Sequence, residues 1–145
     1  MYTASRAPAP PTVIGRNVVA AAALGAGPDR LLADPETLGL LFESLVVRDL
    51  RILAGPLRGR VHHYRDALGL EADAVIELPG GDWAAFEVKL GSHSSVVDPA
   101  AAGLLRLRDR IAGRPPLALV VVTGTGYSFA RPDGVLQVAI GALAA

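Results

Sequence analysis

The sequence predicts an α/β fold, a mixed sheet flanked by helices, from three observations. Two runs of strand-like alternation, residues 71–78 and 82–90, flank a Pro79-Gly80-Gly81 centre. On either side of this hairpin lies a segment with apolar residues at helical spacing, each opened by Asp-Pro, at Asp34-Pro35 and Asp98-Pro99. Aspartate caps a helix and proline suits its first position, where the missing N–H costs nothing. After the second such segment, residues 117–122 (L-A-L-V-V-V) form a continuous apolar run. Such a run reads as a strand covered on both faces and parallel to its neighbour. The order is helix, strand, strand, strand, helix, strand, with a terminal hairpin.

In chain order, residues 1–12 are rich in Pro and Ala and predict a disordered or extended lead. Residues 13–33 predict a short helix, capped by Asn17 and ended by Gly25 and Gly27, followed by a linker. Residues 34–145 predict the α/β domain. Its first helix carries Leu38, Leu41, Phe42, Leu45, Val46, Leu50 and Leu53 as an apolar stripe, with Glu43 at the margin, and stops at Gly55-Pro56. Residues 60–65 (R-V-H-H-Y-R) predict a strand with Val61, His63 and Arg65 on one side and His62 and Tyr64 on the other. Residues 66–69 turn into the hairpin, and G-S-H-S-S after Leu90 predicts a loop. The second helix, from Asp98 to about Ala112, buries Ala101, Leu104, Leu105, Leu107 and Ile111. Residues 127–130 and 135–140 predict a last hairpin around Pro132-Asp133.

Composition narrows the function classes. A chain of 145 residues suits one domain with a real core. The formal net charge of zero gives no bulk attraction to nucleic acid. The absence of cysteine removes disulfides and thiolate metal sites and fits a reducing cytoplasm. No signal peptide is expected, since Arg6 is followed by alternating Ala and Pro and not by an apolar run, and the apolar patch at 18–24 is far below the roughly 20 residues of a membrane span. A soluble, cytoplasmic protein is expected. Of fourteen basic residues thirteen are arginine, and the one lysine is Lys89. A compact ammonium does close-range work that a planar guanidinium does not.

The register of the central hairpin decides what its polar residues can do, because a slip of one residue sends a side chain to the opposite face. With Pro79, Gly80 and Gly81 as a three-residue loop, Leu78 pairs with Asp82, Asp73 comes opposite Glu87, and Glu71 faces Lys89. The other face then reads Ala72, Ala74, Ile76 and Leu78 against Ala84, Phe86, Val88 and Leu90, wholly apolar. A four-residue loop would mix polar with apolar positions, so the first register is preferred. Asp73, Glu87 and the Val88 carbonyl then offer oxygen ligands to a hard cation such as Mg²⁺ or Mn²⁺. Lys89 beside them would orient or deprotonate a water, or stabilise charge developing on a phosphorane. Glu43 would add a carboxylate from the helix rim. The same spacing also fits an amphipathic hairpin with a solvated charged face and Glu71–Lys89 as an ordinary cross-strand pair.

At these residues the sequence resembles the PD-(D/E)XK restriction-endonuclease-like superfamily, with helix Glu43, then Asp73 in E-A-D, then Glu87 and Lys89 in E-V-K. Residues 39–50, 63–78, 83–90 and 121–135 resemble more closely an uncharacterised domain (domain of unknown function 4143) at the C-terminus of bacterial and archaeal AAA-type ATP-binding proteins. The resemblance implies a restriction-endonuclease-like fold and a metal-dependent phosphodiester hydrolysis of DNA. Asp73 and Glu87 would be ligands, Lys89 the activating or charge-stabilising group and Glu43 auxiliary. It implies, alternatively, a non-catalytic module that engages an ATPase partner or nucleic acid. Ala72 stands where the superfamily name has proline. The ATPase module is missing, since no G-x-x-x-x-G-K-[ST] occurs and Gly124-Thr125-Gly126 lacks the lysine of a phosphate loop. The chain thus looks like a detached C-terminal portion, and a separate ATPase chain is an expected partner.

The remaining polar residues divide by their surroundings. Arg48 and Arg65 are the candidates for phosphate contact, although Arg48 equally suits a neighbouring carboxylate. Arg106, Arg108, Arg110 and Arg114 read as a solvated helix face, with Asp109 a partial neutraliser, although such a cluster also suits a phosphate backbone. His62, His63 and His93 lack metal-ligand spacing and read as strand and loop residues, His93 being a weak candidate for lining the site. Trp83, at a strand start, reads as structural.

Overall fold

The computed structural model describes residues 27–143. The expected lead at 1–12 and the Asn17-capped helix lie outside the described residues. Within the expected linker, a five-residue helix, α1 (Pro28–Leu32), precedes the domain.

Helix α2 (Pro35–Ala54) starts as its sequence dictates. The Asp34 carboxylate accepts from the Thr37 amide at 3.1 Å and from its hydroxyl at 2.7 Å, and Pro35 occupies the first turn. A 3₁₀ turn (Gly55–Leu57) closes it. Three strands follow, β1 (Arg60–Arg65), β2 (Glu71–Glu77) and β3 (Trp83–Lys89), then α3 (Ser94–Arg110) and β4 (Ala118–Thr123). The terminal hairpin is β5 (Phe129–Ala130) and β6 (Leu136–Ala139), turning at Pro132-Asp133 with the Gly134 amide donating to the Arg131 carbonyl at 3.0 Å. The sheet order is β1-β2-β3-β4-β6-β5. Strand β4 is parallel to both β3 and β6, and the remaining pairs are antiparallel. This is the predicted mixed sheet flanked by helices.

Each face of the sheet buries one long helix. Phe42, Val46 and Leu50 of α2 pack on Ala74, Phe86, Val88, Val120 and Val122. Val97, Ala101, Leu104 and Leu107 of α3 pack on Val75, Trp83, Ala85, Leu119 and Val121. Successive residues of β4 therefore alternate between two apolar layers, which is why its sequence shows no polar face. The Trp83 indole N–H donates to the Arg114 carbonyl at 2.8 Å, so Trp83 is structural as expected.

Three expectations change. Helix α3 begins at Ser94, inside the expected G-S-H-S-S loop, so Asp98-Pro99 lies within the helix and not at its cap. The amides of Val96 and Val97 reach the His93 carbonyl at 2.9 and 3.0 Å, and that turn starts the helix five residues early. The polar side of the hairpin is a solvent face only in part, because Glu71 and Glu77 are exposed whereas Glu87 and Lys89 are half-buried beside α3. Strand β2 also does not alternate throughout. His62 pairs with Val75 but Tyr64 pairs with Ala72, so Asp73 and Ala74 together stand opposite His63. This β-bulge moves Ala72 to the α3 side, away from Ala74 and Ile76 on the α2 side.

Candidate functional site

The hairpin loop sets the predicted register. The Leu78 amide donates to the Asp82 carbonyl at 2.8 Å, and Glu77 pairs with Trp83, Ile76 with Ala84 and Ala74 with Phe86. Continued by one residue, that register brings Asp73 level with Glu87. The ladder ends at Ala74–Phe86, where the bulge aims the Asp73 side chain across the gap. Its Oδ2 accepts from the Val88 amide at 2.7 Å, in the place of a β2 carbonyl. The Lys89 carbonyl accepts from Gly124 at 3.2 Å on the β4 side, so the Val88 amide and carbonyl leave β3 on the side of Asp73.

Glu87 and Lys89 lie on the α3 side of β3, with Lys89 Nζ 3.0 Å from Glu87 Oε2. Their side chains are 12% and 34% exposed. The expected Glu71–Lys89 pair does not form. Glu71 Oε1 is instead 3.0 Å from His63 Nε2, because the bulge registers Glu71 against β1. Glu43, half-buried on α2, lies close enough to Asp73, His63, Lys89 and Glu71 to feel their charges.

Three carboxylates, Glu87, Asp73 and Glu43, thus act on one ammonium. Burial pushes the Glu87 carboxyl up to about 7, with Asp73 adding to the rise, and the two outweigh Lys89. Burial also raises Asp73, against the Val88 amide and Lys89. Burial first and Asp73 second raise Glu43. Desolvation works against the Lys89 ammonium, but Glu87, Asp73 and Glu43 outweigh it and hold its pKa above the ordinary value. Lys89 therefore stays charged at neutral pH. That suits charge stabilisation better than proton abstraction.

Oxygen donors and surplus negative charge are what a hard divalent ion takes. Asp73, Glu87 and the Val88 carbonyl fit Mg²⁺ or Mn²⁺ in donor type and in charge. Among the described residues no three His, Asp or Glu side chains form a ready-made metal cluster. The protein set would therefore be two carboxylates and one carbonyl.

The other candidates fall in different places. Arg48 pairs with Asp49 at 2.8 Å, the local partner its sequence offered. Arg65 is exposed on the edge strand β1, paired in register with Glu71. His93 precedes α3 as an exposed N-cap whose side chain makes no cap bond. Two residues read from the sequence as a strand position and a solvated-face position lie beside the site. His63 reaches the acidic group through Glu71, and its alternation with Val61 and Arg65 was the available signal. Arg106 lines a groove of about 300 Å³ together with Glu71, Glu87 and Lys89. The four-arginine cluster suited a phosphate backbone as well as a solvated face, but helical spacing did not single out Arg106 within it.

Fold and site define a class, an α/β sandwich with an acidic cluster and one lysine where two strands part. The chain belongs to the family described as Domain of unknown function (DUF4143), which matches residues 38–142. No curated protein and no solved structure matches it. Among the described residues no helix is long and apolar enough to cross a membrane.

Proposed function

We propose that this domain is a PD-(D/E)XK-type nuclease that hydrolyses phosphodiester bonds in DNA with Mg²⁺ or Mn²⁺. The observation that carries the reading is the pair Asp73 and Glu87, largely buried beside the only lysine at the parting of β2 and β3. Asp73, Glu87 and the Val88 carbonyl would hold the ion, which when bound supplies Lewis-acid polarisation of a phosphoryl oxygen and a lowered pKa for water. The Val88 amide fixes the Asp73 carboxylate, leaving Oδ1 directed away from that hydrogen bond. Lys89, held as an ammonium by its acidic neighbours, stabilises negative charge developing on the phosphoryl group. Glu43 supplies a further carboxylate from α2.

The test is cleavage of single- and double-stranded DNA with Mg²⁺ or Mn²⁺ by the wild type, Asp73→Ala and Lys89→Ala. Cleavage that both substitutions reduce by at least 100-fold is expected. Absence of any cleavage they abolish removes the enzymatic reading.

A second reading, a non-catalytic module that engages an AAA-type ATPase chain, is favoured by the exposed aromatic pair Tyr127 and Phe129, 87% and 50% accessible, at the outer end of the sheet. Calorimetric titration with Mn²⁺ separates the two. Binding lost in Glu87→Gln supports the nuclease, and silence in the wild type with recovery of an ATPase chain supports the module.

A further inference from the structure

The arginines of α3 and the loop after it look equivalent in sequence, but their surroundings differ. Arg108 pairs with Asp109 at 2.8 Å, Arg110 with Asp66 at 2.7 Å and Arg114 with Asp82 at 2.9 Å. Arg106 is exposed and makes none of the ion pairs found among the described residues. It stands at one end of the groove of about 300 Å³ whose other wall carries Glu87 and Lys89. That volume holds roughly ten waters' worth of ligand.

The helical wall of this groove carries Val96 and then the small or ring-closed Pro99, Ala100 and Gly103, spaced so that they share one face with Arg106. Gly103 is the informative one. Inside a helix, glycine is the least favourable residue after proline. A Cβ at Gly103 would meet only the Arg106 Nη2, at 3.8 Å, so core packing does not demand the glycine. The missing side chain keeps the groove open. The same contact shows the guanidinium folded back over the preceding turn, toward the end of the helix nearer Lys89.

We propose that Arg106 is a substrate-binding residue that takes a DNA backbone phosphate in this groove, across from Lys89. The proposal rests on the nuclease reading above and adds to it a wall, a direction and a second cation. Glu87 in the same groove repels a phosphate, and a guanidinium without an acidic partner offsets that repulsion with two donors in one plane. The strand of DNA then runs along α3, with successive phosphates at Lys89 and Arg106.

The experiment is fluorescence anisotropy of a 5′-fluorescein single-stranded DNA 12-mer, in EDTA and over a salt series, with cleavage kinetics in Mn²⁺ alongside. Arg106→Ala is expected to weaken binding about tenfold and to make the slope of log K against log salt shallower by about 0.7. In cleavage, its KM should rise with kcat nearly unchanged. Arg106→Lys should recover part of the loss. Gly103→Leu, which fills the groove without removing charge, should weaken binding as much as Arg106→Ala. Arg108→Ala should stay within twofold of wild type, and far-UV circular dichroism checks the fold of every variant. If Arg108→Ala loses as much as Arg106→Ala, diffuse charge explains the binding and the proposal is overturned. If the wild type cleaves and Arg106→Ala cleaves with the same KM, Arg106 alone loses its role. If the wild type neither binds nor cleaves, the nuclease reading fails and the assignment of Arg106 fails with it.

Discussion

Glu87 pairs with Lys89 and feels the charge of Asp73 with 12% of its side chain exposed, and its pKa, pushed up to about 7 from an ordinary 4.5, links folding to pH. A carboxyl whose pKa is raised on folding stabilises the folded state fully below the unfolded value, and the contribution is lost as pH rises through the folded value. The window is therefore pH 4.5 to 7, and the effect is on the order of 3 kcal/mol at most. Thermal melts at pH 5 and pH 8 should show the wild type losing more stability on alkalinisation than Glu87→Gln, with Mn²⁺ restoring it at pH 8. Asp73 and Glu43 shift in the same direction, so the variant's curve keeps a residual slope. At this scale the sequence was informative about identity and silent about state. The single lysine and the E-x-K spacing marked residues that the fold brings together. That Lys89 is held charged, and that Glu71 turns to His63, depend on burial and on β1, which spacing along one hairpin does not contain.

The elements show where local rules suffice. Asp34-Pro35 starts α2 and the Pro-Gly-Gly loop fixes the register, because both act within a few residues. Asp98-Pro99 has the same chemistry, yet the earlier turn at His93 takes the helix start from it. The bulge at Asp73-Ala74 was not legible, since an extra residue in β2 has meaning only against its partner β1. The loop after β4 is a further case. Gly124 donates to the carbonyls of Lys89 and Leu90, both at 3.2 Å, and a Cβ there would fall 2.8 Å from the Leu90 carbonyl oxygen. Gly124→Ala should therefore push the end of β3 aside. A loss of about 1–3 kcal/mol in urea unfolding is expected, together with weaker Mn²⁺ binding by calorimetry.

For the whole molecule, one sheet shared by two helices implies a single cooperative unit. Trp83 lies in the layer under α3, while α2 covers the opposite face through Phe42, Val46 and Leu50. Tryptophan fluorescence and far-UV circular dichroism should report one coincident urea transition, and separate midpoints would mean that the two faces unfold apart. The alternation of helices and strands was readable because each element's period is local. Long-range ion pairs were not, and Arg110–Asp66 and Arg114–Asp82 are what distinguish Arg106 from its neighbours.

The bond from the Val88 amide to Asp73 makes one backbone proton a reporter of the site. An amide given to a carboxylate at 2.7 Å should resonate well downfield and exchange slowly with solvent deuterium, although it lies past the end of the strand ladder. In Asp73→Ala that proton should move upfield and lose its protection while the amides of Ala84 and Phe86 keep theirs. Its shift during a Mn²⁺-free Mg²⁺ titration would then follow occupancy of the site without any substrate or label.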